Sequence, residues 1–173
     1  MKYIGFIKEF DDVIFAKEFK DCVTHIYRDN TGIIKYLEKG TYFGGWMEAV
    51  TEVENDDIFV SNLEYFTDGE WVWPAYYSYY LKKYQNFYVS PKFLEHINKN
   101  KEKQINLTEK ELLNMEKMFF IEYKKEEFIE NDTLSKQLKT ELETYKTYKG
   151  KNYTEEEWKI FKERLYLEYF EKE

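Results

Sequence analysis

Asp68 and Glu70 flank Gly69 in a Thr-Asp-Gly-Glu string. Two carboxyl groups this close, with aromatic rings nearby, are what a carbohydrate-binding module or hydrolase would use, one as acid and one as base or nucleophile. The same string is also an ordinary turn, in which Asp bonds back to the chain and Gly supplies a positive φ. With 34 Asp and Glu in 173 residues, pairs at this spacing are expected without any chemistry, and the turn reading is preferred. Cys22-x-x-His25 has the spacing of half a zinc site, but no second close pair of ligands accompanies it. Cys22 is therefore expected in the core, and His25 as a surface or capping residue. Neither a glycine-rich phosphate loop nor a Gly-x-Ser-x-Gly elbow occurs. No catalytic, metal-binding or cofactor-binding residue is expected, and the chain does not read as an enzyme.

Charge is more informative than any of these motifs. The chain carries 26 Lys and Arg against 34 Asp and Glu, a net charge of −8. Between Thr41 and Leu81 there is no cation at all, while Glu48, Glu52, Glu54, Asp56, Asp57, Glu64, Asp68 and Glu70 supply eight carboxylates. The rest of the chain is thus neutral overall. Twelve aromatic residues share the window, Trp46, Trp71, Trp73 and Tyr79 among them. Most of these rings are needed for a core. Clustered carboxylates attract basic partners and speed encounter, and a few rings could anchor an interface. Direct nucleic-acid binding is disfavoured because phosphate contacts need cations.

Aromatics at 20% of the chain argue for a folded protein despite 35% charged residues. No apolar run approaches the roughly 20 residues that span a bilayer, and Met1–Asp12 lacks the apolar stretch of a signal peptide. A single cysteine fits a reducing compartment, so a soluble, cytoplasmic protein without membrane contact is expected.

The elements follow from periodicity. Tyr3–Phe10 reads as a strand, and Asp12 as the cap of a helix carrying Phe15, Phe19 and Cys22. Asp29–Asn30–Thr31 precedes Ile33, Ile34 and Leu37, with Gly40 as a stop, which predicts a short helix. Tyr42–Glu54 and Ile58–Phe66 read as a hairpin joined at Asn55–Asp57. On its first strand Phe43, Gly45, Met47, Ala49, Thr51 and Val53 are expected to face inward, and Trp46, Glu48, Glu52 and Glu54 outward. After the turn at Thr67–Glu70, Pro74 is expected to start a helix running to Tyr84, with Tyr79 off its buried stripe. A second short helix spans Pro91–Ile97. The composition turns polar at Asn98–Gln104, which suggests a connector. Thr108 with Glu111, Asp132, and Thr154 with Glu157 each precede a helical stripe. The expected organisation is an α+β unit over 1–98, a connector over 99–107 and a three-helix region over 108–173. The fold class is α+β: a small antiparallel β-sheet with helices on one side, followed by a helical C-terminal region.

The string Thr67–Pro74 (TDGEWVWP), the helix Ala75–Tyr84 and the segment Pro91–Ile97 resemble a group of small bacterial proteins. Those proteins carry an Asp-Gly-x-Trp-x-Trp-Pro turn, a Tyr-Tyr helix and a Leu-Pro-x-x-Phe segment. The resemblance covers Asp29–Ile97, with Ser90 standing where the group has Leu. The group is associated with immunity proteins encoded beside polymorphic or contact-dependent toxins. It implies an immunity-type binding protein that neutralises a cognate bacterial toxin by occluding it. A nuclease with a basic cleft is one partner that would suit the acidic window. The residues expected to meet the partner are Trp46, Glu52, Glu54, Asp56, Asp57, Asp68, Glu70 and Tyr79. A structural adaptor that oligomerises through its helical tail is a further alternative, and the oligomeric state is open.

Overall fold

A cation-free run of 27 residues, Thr41–Thr67, folds back on itself as the longest piece of regular structure among the described residues. The computed structural model describes residues 1–123. The chain divides into two units, Met1–Glu116 and Lys117–Glu173, and the entire sheet belongs to the first. In chain order the elements are β1 (Lys2–Tyr3), α1 (Phe19–Cys22), α2 (Thr31–Leu37), β2 (Thr41–Glu52), β3 (Asn55–Thr67), β4 (Trp71–Pro74), α3 (Tyr76–Lys83), α4 (Pro91–Asn100) and α5 (Glu109–Tyr123).

The class is α+β, as the pattern implies. The sheet runs in the order β1-β4-β3-β2 and is mixed. β2/β3 and β3/β4 are antiparallel, but β1 lies parallel to β4, with Lys2 opposite Trp71. Its core is aromatic. Tyr65, Trp73, Tyr76, Tyr77, Tyr80, Phe87 and Phe93 are all fully buried. Buried tyrosines need acceptors for their hydroxyls. Asp11, completely buried, accepts from both Tyr65 and Tyr76, and the Tyr76 oxygen in turn accepts from the Ile7 N–H at 3.1 Å.

That demand explains why the N-terminal segment departs from its sequence pattern. The strand expected over Tyr3–Phe10 is only two residues long, because Gly5 turns the chain at φ +80°. The helix expected to carry Phe15, Phe19 and Cys22 shrinks to Phe19–Cys22. Residues 6–17 instead bond across to one another, Lys8 N–H to Lys17 C=O at 2.9 Å and Lys17 N–H to Phe6 C=O at 3.1 Å, which brings Asp11 inside. Phe15 stacks on Tyr3 at 3.9 Å between ring centroids.

The hairpin also differs from expectation. Glu52 pairs with Asn55, so the turn is Val53–Glu54 and Asn55–Asp57 belong to the strand side. Between the pairs Gly45/Glu64 and Ala49/Asn62, three residues of β2 face one of β3, a bulge at Trp46–Glu48. Those two extra residues leave the alternation in phase, but between the pairs Tyr42/Phe66 and Gly44/Tyr65 β2 carries one extra residue, and a one-residue offset exchanges the faces of everything beyond it. Phe43 is buried as expected, but beyond the offset Val50 and Glu52 are buried while Gly45, Met47 and Ala49 are exposed. This overturns the inward face predicted from strict alternation.

α2 forms where its cap and apolar spacing predict, with the Asp29 carboxylate accepting from the Thr31 N–H at 2.9 Å. Pro74, however, ends β4 opposite Tyr65, and the helix begins two residues later. The backbone carbonyl of Glu64 takes the Ala75 N–H at 2.8 Å, which keeps the chain in the sheet past the proline. α4 starts at Pro91 as expected and continues through Asn100, so the polar stretch begins inside a helix. α5 opens with the predicted capping box: the Glu111 carboxylate accepts from the Thr108 N–H at 2.8 Å, and Thr108 Oγ1 from the Glu111 N–H at 3.3 Å. Within the first unit the buried residue of α5 is Leu113, with Leu112 half-exposed. The helices expected after Asp132 and Thr154 lie outside the described residues. Among the described residues no helix is long and apolar enough to cross a membrane.

Candidate functional site

Thr67–Trp71 closes as a tight turn. Gly69 takes φ +97°, Thr67 Oγ1 accepts from its N–H at 3.0 Å, and Asp68 Oδ1 accepts from the N–H groups of Glu70 (2.9 Å) and Trp71 (2.8 Å). The second carboxylate oxygen of Asp68 is equally engaged. Oδ2 receives the Tyr36 hydroxyl at 2.8 Å from α2 and lies 2.7 Å from His96 Nε2 on α4. Its side chain is 3% exposed. Asn100 Nδ2 lies 3.3 Å from His96 Nδ1, and Glu70 Oε2 lies 3.5 Å from the same nitrogen. An Nε2–H donated to Asp68 leaves Nδ1 to accept from Asn100; a proton on Nδ1 would be directed at Glu70.

These residues line a cleft of about 540 Å³ whose far wall is the 103–107 segment. Burial pushes the Tyr36 hydroxyl well above the usual tyrosine range, with the bond to Asp68 adding to it. Glu70 is held below the usual carboxylate range by the Lys2 ammonium first and then by His96. An imidazole backed by a buried carboxylate can hold or pass a proton, yet among the described residues no Ser, Thr or Cys lines the cleft for it to activate. Asp68 spends both oxygens on four partners and does not reach solvent. Glu70 stays exposed at the cleft, while Asp68 is committed to the turn and to its two helical partners. The group clamps the β3–β4 turn onto α2 and α4. Tyr36 and His96 went unforeseen as its members because no spacing along the chain links either of them to Asp68.

The other residues expected to meet a partner separate into two sets. Glu52 is buried: its carboxylate accepts from Tyr79 and from Lys83 Nζ at 2.7 Å. Those two bonds, Lys83 first, hold the Glu52 carboxyl below the usual carboxylate range, and the Lys83 ammonium is raised in return. Tyr79 is half-buried in the same contact, and Trp46 is half-buried edge-on to Tyr65 at 5.4 Å. Glu52, Asp68, Tyr79 and Trp46 therefore hold the fold together more than they face outward. Glu54, Asp56, Asp57 and Glu70 remain exposed, although Glu54 meets Lys83 and Tyr84, and Glu70 meets Lys2.

What alternation missed is apolar. Of the eight large hydrophobic residues exposed among the described ones, Tyr42, Met47, Ile58 and Phe59 lie on the β2–β3 hairpin. Met47 is completely open at the bulge, and Phe59 is 61% exposed. Glu48, Glu54, Asp56 and Asp57 are exposed carboxylates on the same hairpin. The two adjacent glycines, Gly44–Gly45, were the sequence signal for the bulge. At Gly45 a Cβ would come within 2.6 Å of the Leu63 carbonyl.

Cys22 is buried, and burial pushes its thiol up to about 12, which makes it a poor nucleophile at neutral pH. His25 is exposed. Among the described residues no three His, Cys, Asp or Glu gather as a metal site. Comparison with family models, characterised proteins and solved structures finds no match to this chain.

Proposed function

We propose that the protein binds another protein through the β2–β3 hairpin and acts by covering that partner's functional surface, as an immunity protein covers a toxin. The observation that carries this reading is the exposure of Met47 and Phe59 on a strand pair that also bears the exposed carboxylates Glu48, Glu54, Asp56 and Asp57. Large apolar side chains left open at the centre of a charged rim are the usual anchors of an interface, and the acids around them set encounter rate and register. The bulge at Trp46–Glu48 suits side-chain docking better than strand addition, since it breaks the even row of edge hydrogen bonds. A partner with a basic, partly apolar surface fits, such as a cytoplasmic toxin that grips nucleic acid. No covalent step belongs to this role.

The test uses the product of a neighbouring toxin-like gene, purified with this protein. Met47→Ser with Phe59→Ser should weaken the complex at least about tenfold, which is about 1.4 kcal/mol. Replacing Asp56 and Asp57 by Lys should slow association, most at low salt. A complex of undiminished affinity in both variants would remove the hairpin from the account.

A further inference from the structure

The hairpin lies at one edge of the sheet; at the other, β1 and the start of α4 border a different kind of surface. A cleft of about 410 Å³ opens there, floored by the half-buried rings of Tyr3 and Phe15. That volume falls within the roughly 300–1,000 Å³ of small-molecule pockets. Lys2, Lys17 and Lys92 line it, and none of its lining residues is acidic, in a chain whose net charge is −8.

The cations are placed against rings. Lys17 Nζ stands 4.8 Å from the centroid of Tyr88, another lining residue, and Lys2 Nζ stands 5.6 Å from that of Trp71. Lys2 is partly committed, because it also bonds Glu70. Lys17 and Lys92 are exposed and carry most of the free positive charge. Lys92 sits in the first turn of α4, which holds no acidic residue, and a helix of ten residues adds its own partial positive charge there. Trp71 contributes one more feature. Its indole N–H is buried and finds no acceptor among the described residues, a donor that the fold leaves unused.

We propose that this cleft binds a small organic anion, a carboxylate on a flat or apolar body. The body rests on the aromatic floor, and the head group lies between Lys17 and Lys92. The charge selects the ligand and the rings hold it, so neither half alone suffices. The cleft is separate in residues from the hairpin and does not depend on the partner proposed above.

The experiment measures binding of naphthoate to the full chain by ligand-observed saturation-transfer NMR and calorimetry. Naphthalenemethanol, inorganic phosphate and anionic phosphatidylserine vesicles serve as comparison probes. Naphthoate should bind at least about tenfold tighter than the neutral alcohol and than phosphate. Lys17→Gln with Lys92→Gln should lose at least about tenfold of that affinity with an unchanged melting temperature, and Met47→Ser should change nothing. Equal binding of the alcohol, equal binding of phosphate, or full binding by the double lysine variant would overturn the proposal. So would retention on vesicles without binding of dissolved naphthoate, which would assign the surface to a membrane.

Discussion

Lys83 Nζ lies 2.7 Å from Glu52 Oε2 and 3.4 Å from Glu54 Oε2, so one ammonium near the end of α3 answers both acids at the tip of the hairpin. Tyr79, from the same helix, donates its hydroxyl to Glu52, and the Tyr80 hydroxyl accepts from the Val53 N–H at 3.1 Å. A hairpin of 27 residues with a bulged outer strand is thereby tied at its far end to the helix that packs against its base. The tie leaves the outer acids and Met47 held in place without being covered.

The tie should make stability depend on pH in a stated direction. Glu52 is held below the ordinary carboxylate range in the folded protein, so its contribution is present above the unfolded value and lost as pH falls through the lower folded one. Lys83 is raised, so its share is present below the ordinary lysine range and lost as pH rises through the higher folded value. Urea unfolding of the natural protein and of Glu52→Gln should differ most near neutrality. The gap should narrow as pH is lowered from about 5 toward 3. A gap that stays constant over that interval would show that Lys83 does not act through Glu52.

Tyr76→Phe removes the hydroxyl that Asp11 and the Ile7 N–H share. It leaves a buried carboxylate short of a donor and a buried N–H without an acceptor. The cost should be about 1–3 kcal/mol in denaturant unfolding.

Two glycines make a controlled comparison. At Gly5 the backbone has φ +80° and an added Cβ would run into the Tyr77 ring, so Gly5→Ala should destabilise by more than about 1 kcal/mol. At Gly32, inside α2, nothing lies within 4 Å of the added carbon. Gly32→Ala should stabilise by up to about 1 kcal/mol. Thermal melts of the two variants should move in opposite directions.

The bulge can be tested through stability alone. Met47 is open and Leu63, on the facing strand, is 3% exposed. Met47→Ala should change unfolding free energy by no more than about 0.5 kcal/mol. Leu63→Ala should cost about 2–5 kcal/mol. Strict alternation along β2 predicts a large loss for Met47 instead.

Much of the fold was legible in the chain because it rests on local chemistry. The Asp29–Thr31 cap, the Thr108–Glu111 box, the glycine at the positive-φ turn position and proline at the start of α4 each act over a few residues, and each appears where its spacing places it. The α+β class follows from the same local periods. Which acids face solvent was not legible. Eight carboxylates in one window look alike in sequence, yet Glu52 and Asp68 are buried against Lys83, Tyr36 and His96, residues 28 to 32 positions away.

The sequence by itself determined the composition of the site region: an anionic, ring-rich hairpin and turn with no cation of their own. Only the tertiary structure decided which of those groups are spent on the fold and which are left for a partner. One extra residue of β2 between Tyr42 and Gly44 inverts the strand beyond it, turning Met47 outward and Glu52 inward. Side-chain direction in a strand repeats every two residues, so register settles it, and register is fixed by pairing with a distant strand.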